Sequence, residues 1–476
     1  MKFAYLRKKY PQFIYENYHW QRVKNNLAVS FDFRIKSNNN NEEIKFKPSL
    51  IIKNVTQKQV VKAGESALNN LVFHLGLIEM ISYWKATCSP EIIIKPGYLD
   101  KKQINWWRYL IEKGMGQFFY ENKIDWRQPN FLKIKSSQNF LTQNFLKIKT
   151  SQNFLKIKTS QISPIIRKTN NTINSTIVEN VVFSKKSKKE GLKKVLVPLI
   201  KKVLVPLSGG KDSIVTLEII KKKKEQGEIA DFACFSLNQT AAVRKIIKIA
   251  NCKKAIFVQR TIDPVLLKLN QQGFLNGHTP FSAYLAFLSV LVAYLFDYQI
   301  IAFSNEKSAN EGNVKYLNQI INHQWSKSSD FEKRFQWYCQ QYLTKKVYYY
   351  SLLRPYNELA IAQMFSQYPQ YFSVFSSCNV VIANKLKKRW CGQCPKCLFA
   401  YTILYPFLDK KNLLKIFGQD LFENKKLLPL AHNLLGKKGF KPFECVGTIK
   451  ETKQAFQLSL KKAQKSGAIP YLLKHL

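Results

Sequence analysis

The sequence predicts an α/β protein built around a parallel β-sheet, with an N-terminal α+β region and a helical C-terminal tail. From Val203 onward, short β-branched segments alternate with longer segments whose apolar residues have helical spacing. That alternation is typical of a parallel sheet covered by helices on both faces. A Gly-Gly turn follows the first of these strands, at the end of the sheet where α/β proteins bind ligands. The length of 476 residues allows several domains, which we place at 1–129, 130–190, 191–400 and 401–476.

The N-terminal region is predicted to contain two strands and two helices. Residues 27–35 and 44–52 partly alternate apolar with polar side chains, on either side of a run of asparagines. Residues 64–84 and 104–120 have apolar and aromatic side chains at helical spacing. This mixture makes the region α+β.

A repetitive segment separates that region from the parallel-sheet domain. Residues 143–151 and 152–160 are near copies of each other, and the unit is too short for a repeat fold. Residues 193–200 and 201–208 are a second duplication, of which only the later copy leads into the Gly-Gly turn. We therefore interpret residues 130–190 as a low-complexity insertion or linker, and the later copy as the functional strand.

Strands and helices alternate through the parallel-sheet domain. The most apolar segment, 281–296, is too short to predict a membrane span and stops at Asp297, so we expect a buried core helix. The predicted strands are 203–207, 231–236, 255–259 and 298–303, and the predicted helices are 213–226, 240–250 and 281–296.

Composition and cysteine usage limit the class of protein. The formal charge is +46, from 76 basic and 30 acidic residues, but the excess is nearly all lysine and is spread along the whole chain. We attribute it to background composition and to attraction for anionic metabolites rather than to a dedicated RNA surface. Nine cysteines, an odd number, fit a reducing compartment, and Met1–Gln12 lacks the apolar segment of a signal peptide. A cytoplasmic protein without a membrane span is therefore predicted.

The turn after Val203–Leu207 has the composition of a phosphate-binding loop. Backbone N–H groups at a helix N-terminus attract phosphate, and glycine lets the backbone approach the oxygens closely. Asp212 is a reasonable ligand for a Mg²⁺ ion that bridges the phosphates. The spacing is not that of a Walker P-loop. The residues predicted to bind nucleotide are Ser208, Gly209, Gly210, Lys211, Asp212 and Ser213.

A cysteine cluster follows near the end of this domain. Cys391, Cys394 and Cys397 have CxxC spacing, and Cys378 precedes them. Four thiolates at such spacing can bind Zn²⁺ tetrahedrally. The metal would either stabilise the end of the domain or leave one cysteine to act as acid or base. Unmetallated thiols and an iron–sulfur cluster remain alternatives.

Several groups suited to proton transfer lie between the loop and the cysteines. His323 and Lys327 are four residues apart, so on a helix they would share a face. Glu306 and Glu311 follow the last predicted strand, where the carboxyl ends of parallel strands meet. These four side chains, together with Cys378, are our candidates for catalysis.

Two families share parts of this pattern. Ser208–Ser213 resembles the SGGxDS signature of PP-loop ATP pyrophosphatases, which implies an adenine nucleotide alpha hydrolase-like domain. Adding Ser82–Pro90, Ser304–Glu306, Asn322–Ser328 and Trp390–Cys397, the chain resembles the UDP-N-acetylmuramoyl-L-alanyl-L-glutamate epimerases. The insertion and the doubled strand depart from that family's pattern. The 7-cyano-7-deazaguanine synthases also join such a loop to a cysteine cluster, but they are shorter.

The epimerase resemblance implies an ATP-dependent isomerase of peptidoglycan biosynthesis. It implies that the terminal L-glutamate of a UDP-muramoyl dipeptide is adenylated with Mg²⁺, inverted at its α-carbon, and released with AMP and pyrophosphate. Inversion needs a base and an acid on opposite faces, and the sequence does not choose among the five candidates. A PP-loop ligase acting on a nucleobase or tRNA, and a basic RNA-binding protein with a degenerate loop, are the alternatives.

Overall fold

A computed structural model describes residues 2–38, 42–136, 201–384 and 387–476. The nine-residue repeats and the first copy of the duplicated strand lie outside the described residues, as does most of the predicted insertion. The exception is its beginning, where residues 133–136 form a strand of the main sheet. The folded part before the gap therefore extends at least to Ser136.

Thirteen strands are described, eleven of them in one mixed sheet and two in a separate hairpin. Strands before and after residues 137–200 share the main sheet. The strands of the main sheet are β1 Gln12–Val23, β2 Asn26–Lys36, β3 Glu43–Phe46, β4 Ser49–Lys53, β5 Glu91–Ile94, β6 Lys133–Ser136, β7 Lys202–Pro206, β8 Asp231–Leu237, β9 Ala255–Thr261, β10 Ile300–Phe303 and β13 Tyr348–Ser351. The hairpin consists of β11 Val314–Tyr316 and β12 Gln319–Ile321.

Strand order defines where a ligand can bind. The order is β13-β10-β7-β8-β9-β4-β2-β1-β5-β6, with β3 beside β2. From β13 to β9 all neighbours are parallel, whereas β9 and β4 are antiparallel and join the sheet to the N-terminal strands. Strand β7 comes first in the chain among the parallel five but lies in their middle, between β8 and β10. The connections therefore leave β7 and β10 in opposite directions, which opens a crevice at their carboxyl ends.

Helices cover both faces of the parallel strands. Val203 and Val205 of β7 pack into one core cluster, and Leu204 between them packs into the other, as the two-residue period of a strand requires. After β13 the described residues form helices and no strand. The helices are α1 Lys2–Lys9, α2 Gln57–Ala63, α3 Glu65–Glu79, α4 Ile81–Trp84, α5 Lys101–Gly114, α6 Gly116–Glu121, α7 Lys211–Glu225, α8 Ala241–Ile249, α9 Pro264–Gln271, α10 Phe281–Leu295, α11 Ser329–Tyr338, α12 Glu358–Ser366, α13 Asn379–Ala383, α14 Pro395–Leu404, α15 Lys410–Phe417, α16 Leu428–Leu434, α17 Ile449–Lys465 and α18 Tyr471–His475.

The predicted mixture of a parallel sheet with an N-terminal α+β region is confirmed, with local differences. The predicted strand 44–52 is divided into β3 and β4 around Pro48, which has no N–H to donate to a ladder. Strand β1 was not predicted, because its second half carries mostly polar side chains and alternates only weakly. The predicted helix 64–84 is divided at Met80 into α3 and α4.

The apolar segment 281–296 forms helix α10 in the core. Eleven of its fifteen residues are buried, which confirms the predicted core helix. Among the residues that the structure describes, no helix combines the length and hydropathy needed to cross a bilayer.

A buried ion pair connects the N-terminal helices to the parallel sheet. Arg260 on β9 donates two hydrogen bonds of 2.8 Å to the carboxylate of Glu79 at the end of α3, and the Glu79 side chain is completely buried. The guanidinium also lies 4.5 Å from the ring centre of Tyr284 on α10. Strand β9 and helices α3 and α10 thus meet at one buried ion pair.

Removing one partner of this pair should destabilise the fold. Arg260→Met leaves a buried carboxylate without its partner, so we expect the free energy of unfolding to fall by about 3–5 kcal/mol. Urea denaturation followed by circular dichroism measures it. The control is Lys62→Met, which removes an exposed pair with Asp297 and should cost no more than about 1 kcal/mol. Equal losses in the two variants would contradict the assigned role.

Candidate active site

The predicted phosphate loop forms the turn between β7 and α7. Gly209 has φ +94°, a conformation that favours glycine, and Gly210 is the N-cap of α7. The backbone N–H of Ser376 donates to the carbonyl of Gly209 at 3.0 Å, and the Ser213 hydroxyl donates to the carbonyl of Gly210 at 2.9 Å. The first N–H groups of α7 have no partner within the helix, and the turn that precedes them lies at the carboxyl end of β7.

A cavity of about 510 Å³ lies at this crevice. Its walls come from the carboxyl ends of β7, β8 and β10, from the start of α10, and from segments later in the chain. The polar lining residues are Ser208, Asp212, Ser213, Asn238, Thr240, His278, Ser282, Ser304, Asn305, His323, Gln324, Ser326, Lys327, Ser377, Asn379, Lys396 and Cys445. The sheet therefore brings the loop and the predicted His323–Lys327 segment to one site.

A smaller cavity of about 90 Å³ adjoins it, since both share Ser208, Asp212, Lys327, Lys396 and Cys445. Buried charges of both signs also line it, and these are Lys211, Glu306 and Glu358. Burial disfavours the Lys211 ammonium, but Asp212 and Glu358, which it contacts, outweigh that effect and raise its pKa above the usual range. Burial raises the pKa of the Glu306 and Glu358 carboxyls. The nearby lysines lower it, but burial has the larger effect.

Lys327 and Cys445 are in direct contact in this site. The Lys327 ammonium lies 3.3 Å from the Cys445 sulfur. Burial disfavours the charge on Lys327, but Cys445 and Glu306 outweigh it and raise its pKa above the usual range. Burial likewise opposes the thiolate of Cys445, but Lys327 and Lys396 outweigh it and lower the pKa of that thiol to about 7. The contact with Lys327 therefore stabilises the thiolate of Cys445, and both the thiol and the thiolate are accessible near neutral pH.

Arg354, just after β13, holds the backbone around these groups. Its guanidinium donates to the carbonyl of Glu306 at 2.7 Å and to the carbonyl of Lys327 at 2.6 Å. The carboxylate of Glu332 compensates its charge at 2.7 Å. One side chain thus fixes the two predicted catalytic segments relative to each other.

His323 and His278 form a pair of rings in the larger cavity, with centroids 4.5 Å apart. The Nε2 of Gln117 donates to Glu121 at 2.7 Å, so its Oε1 faces Nδ1 of His323 and accepts a hydrogen bond from that nitrogen. In the neutral ring this tautomer leaves the lone pair on Nε2. Burial first, then the charge of Lys327, lowers the pKa of His323 to about 4.

Two of the predicted catalytic residues lie elsewhere. The Glu311 carboxylate accepts hydrogen bonds from Lys441 at 3.2 Å and from the N–H of Ile449 at 3.1 Å. Cys378 is completely buried, and its sulfur lies 3.8 Å from that of Cys394. Neither residue belongs to the described lining of the two cavities.

The four predicted cysteines form one cluster. The sulfurs of Cys378, Cys391, Cys394 and Cys397 all lie within 4.8 Å of one another, and three of the separations are 3.4, 3.6 and 3.8 Å. Sulfurs around a tetrahedral zinc are about 3.8 Å apart for Zn–S bonds of about 2.3 Å. The turn requires Gly392, whose φ is +74° and where a Cβ would clash with Gln419. The donor set fits zinc.

This cluster also positions part of the cavity wall. Ser377 and Asn379 flank Cys378, and Lys396 lies between Cys394 and Cys397 at the start of α14; all three line the larger cavity. The cluster thus lies behind the wall while its neighbours face the site.

Five groups of this site are not predicted by the sequence, for different reasons. Lys396 lies between two cysteines of the CxxC spacing and belongs to no motif of its own. His278 lies just before the N-cap region of the apolar helix α10, and this position near a helix start was the available signal. Cys445, Glu358 and Arg354 stand in segments without a motif, and only tertiary contacts reveal them.

Comparison with protein families decides the assignment. A family profile described as MurL N-terminal domain matches residues 5–156 and 168–352, and a second, described as MurL C-terminal domain, matches residues 374–472. The chain belongs to the MurL family. In this MurL family chain, the N-terminal profile spans both sides of the gap in the described residues.

Three curated relatives of the MurL family chain are each named UDP-N-acetyl-alpha-D-muramoyl-L-alanyl-L-glutamate epimerase. The Xanthomonas oryzae pv. oryzae protein is 36% identical over 264 residues, which are 55% of this chain and 57% of that protein. The Salinispora tropica protein is 37% identical over 258 residues, 54% of this chain and 55% of that protein. A Micromonospora protein is 37% identical over 267 residues, 55% and 58% of the two chains. The MurL family chain thus spans little more than half the length of these relatives.

The two cavity histidines should resist protonation. Burial and neighbouring charges lower the pKa of His278 to about 3 and that of His323 to about 4, from an ordinary 6.5. The unfolded chain therefore binds protons first, so stability should fall as the pH drops from about 6.5 toward 4, by up to about 1.4 kcal/mol per pH unit for each ring.

NMR titration of the imidazole signals tests this directly. His323→Asn removes one repelling ring and should raise the pKa of His278. Titration of either cavity histidine near 6.5 in the folded protein would contradict the buried, neutral pair.

Proposed function

We propose that this chain inverts the α-carbon of the terminal L-glutamate of UDP-N-acetylmuramoyl-L-alanyl-L-glutamate at the expense of ATP, in peptidoglycan biosynthesis. The observation that supports the proposal is that one cavity is lined both by the turn at the start of α7 and by imidazole, ammonium and thiol groups. The names of the relatives supply the substrate. We place the reaction in the cytoplasm, where ATP and reduced thiols are available.

The turn after β7 supports ATP binding as a PP-loop, in an adenine nucleotide alpha hydrolase-like arrangement. Ser208 to Ser213 offer hydroxyl and backbone N–H donors at the start of α7, and Lys211 adds positive charge. Asp212 lines both cavities, and a carboxylate oxygen of this kind is what Mg²⁺ prefers. Asp212 would hold the Mg²⁺ that neutralises charge on the phosphates.

Adenylation makes the α-hydrogen acidic. A free α-carboxylate resists deprotonation, because the product would carry a second negative charge beside the first. In the proposed reaction a carboxylate oxygen attacks the α-phosphorus of ATP and pyrophosphate leaves. The acyl-adenylate then loses its α-proton and regains one on the opposite face, and water releases AMP with the inverted peptide.

His323 is our first proton-transfer group. Its neutral ring directs Nδ1–H to Gln117, which leaves the Nε2 lone pair to accept a proton. Lys327 stays charged beside the same cavity and can stabilise negative charge that develops on the substrate. Glu306 lines the smaller cavity together with Asp212, whereas His278 and His323 line only the larger one.

The four-cysteine cluster would hold a structural zinc. The neighbours of its cysteines line the cavity, so metal binding there would fix the wall that carries Lys396, Ser377 and Asn379. Its role is to position those side chains.

ATP turnover should depend on the peptide and on Asp212. With ATP, Mg²⁺ and the UDP-muramoyl dipeptide, we expect AMP, pyrophosphate and D-glutamate by chiral analysis after hydrolysis. Asp212→Asn should lower pyrophosphate release at least 100-fold, because a metal and phosphate ligand is lost. Asp297→Asn, beyond the opposite end of β7, is the matched control and should stay near wild type.

The same assay separates the alternatives. Pyrophosphate release that requires a deazapurine or tRNA instead of the dipeptide would favour a PP-loop ligase. No ATP turnover with any of these substrates would favour a binding protein.

The protein should contain about one zinc per chain. Elemental analysis after purification under reducing conditions measures the metal directly, and Cys391→Ser should lower its content while the buried control Cys339→Ser should not. Wild-type protein without zinc or iron would leave four unmetallated thiols as the correct interpretation.

A further inference from the structure

Nine cysteines are present, and eight of them are buried. Cys445 is the exception, and it lines both cavities. The proton-transfer scheme of the proposed function uses one side of the substrate through His323 and leaves the other side without a group.

We propose that Cys445 is the second proton-transfer residue of the reaction, acting at the face of the α-carbon opposite His323, with Lys327 holding its sulfur. The proposal rests on the proposed function, because it assigns a step in that reaction.

The location of Cys445 carries the argument. The segment that contains it contacts the His323–Lys327 segment, because Gln324 donates to the carbonyl of Val446 at 3.4 Å. Asn313, which accepts a hydrogen bond from the N–H of His323 at 2.9 Å, also donates to the carbonyl of Pro442 at 2.8 Å. These contacts bring the Cys445 sulfur to 3.3 Å from the Lys327 ammonium.

Cys445 and His323 line different parts of the site. His323 and His278 line only the larger cavity, whereas Cys445 and Lys327 line both. Cys445 therefore lies where the two cavities meet, next to Ser208 and Asp212 of the phosphate loop. A glutamyl group adenylated at the loop would have its α-carbon between the sulfur and the imidazole.

The proton balance is complete with these groups. Nε2 of His323 takes the α-proton of the acyl-adenylate, and the electron pair stays on the substrate as an enolate. The Cys445 thiol gives its proton to the opposite face of the α-carbon, and the thiolate that remains is stabilised by Lys327. Solvent then removes the proton from the imidazole and returns one to the sulfur. The reverse inversion exchanges the two roles.

Hydrogen exchange in deuterated water tests the assignment with both stereoisomers of the UDP-muramoyl dipeptide. Cys445→Ser should slow inversion at least 100-fold, yet α-deuterium should still enter one of the two isomers with retention, through His323. His323→Asn should show the mirror pattern and exchange the other isomer. Cys252→Ser, which removes a buried thiol outside both cavities, is the control and should invert at the wild-type rate.

Three outcomes overturn the proposal. In the first, Cys445→Ser inverts and exchanges both isomers at wild-type rates. In the second, it loses exchange of both isomers equally, and in the third it loses exchange of the same isomer as His323→Asn. If wild-type protein forms no AMP with the dipeptide, the proposed function itself fails, which is a different result from any of these.

Alkylation gives a second test that does not depend on the folding of a variant. In wild-type protein, iodoacetamide should label Cys445 faster than the buried cysteines, as measured by peptide mass spectrometry. The dipeptide together with α,β-methylene ATP should protect it, and Lys327→Met should slow its labelling. Labelling of Cys445 that neither ligand nor Lys327→Met changes would overturn the proposal.

Discussion

The site depends on a balance of charges that are withdrawn from water. Lys211, Lys327 and Lys396 line the smaller cavity together with Asp212, Glu306 and Glu358. A buried charge without a partner costs several kcal/mol, so each of these groups constrains where the others can be. Lys211 contacts two carboxylates at once, and Lys327 contacts the sulfur of Cys445.

The rest of the molecule maintains that balance through a few contacts. Arg354 joins the carbonyls of Glu306 and Lys327, so the loop after β10 and the segment before α11 cannot separate independently. Glu451 of α17 accepts hydrogen bonds from Ser308 at 2.6 Å and from the N–H of Glu358 at 2.9 Å, which ties the helical tail to the same region. The cysteine cluster holds the part of the cavity wall that carries Ser377, Asn379 and Lys396. Parts of the chain far apart in sequence thus contribute to one rigid frame.

The sequence predicts those parts of the fold and the site that depend on neighbouring residues. It does not predict contacts between residues far apart in the chain. The Gly-Gly turn between β7 and α7 was predicted because strand, glycine turn and helix start are local features, and the cysteine cluster because CxxC spacing limits the turn. Lys211 and Glu358 are 147 residues apart, and Lys327 and Cys445 are 118 apart, so no local pattern predicts those pairs. Glu311 was assigned from its position after a strand, but its carboxylate contacts Lys441 and the start of α17. Strand β1 lacked a strong pattern because half of it is exposed.

The antiparallel pairing of β4 with β9 has a consequence for how the chain reaches this state. Ser49 pairs with Thr261 and Ile52 with Val258, so the sheet closes only when residues about two hundred positions apart meet. Contacts of such high sequence separation slow folding, because the entropy of closing the loop is lost before the contacts form. During synthesis, the edge of β4 that pairs with β9 therefore stays unpaired until β9 has left the ribosome. An unpaired edge of this kind recruits other strands, which makes the growing chain most prone to aggregation in that interval.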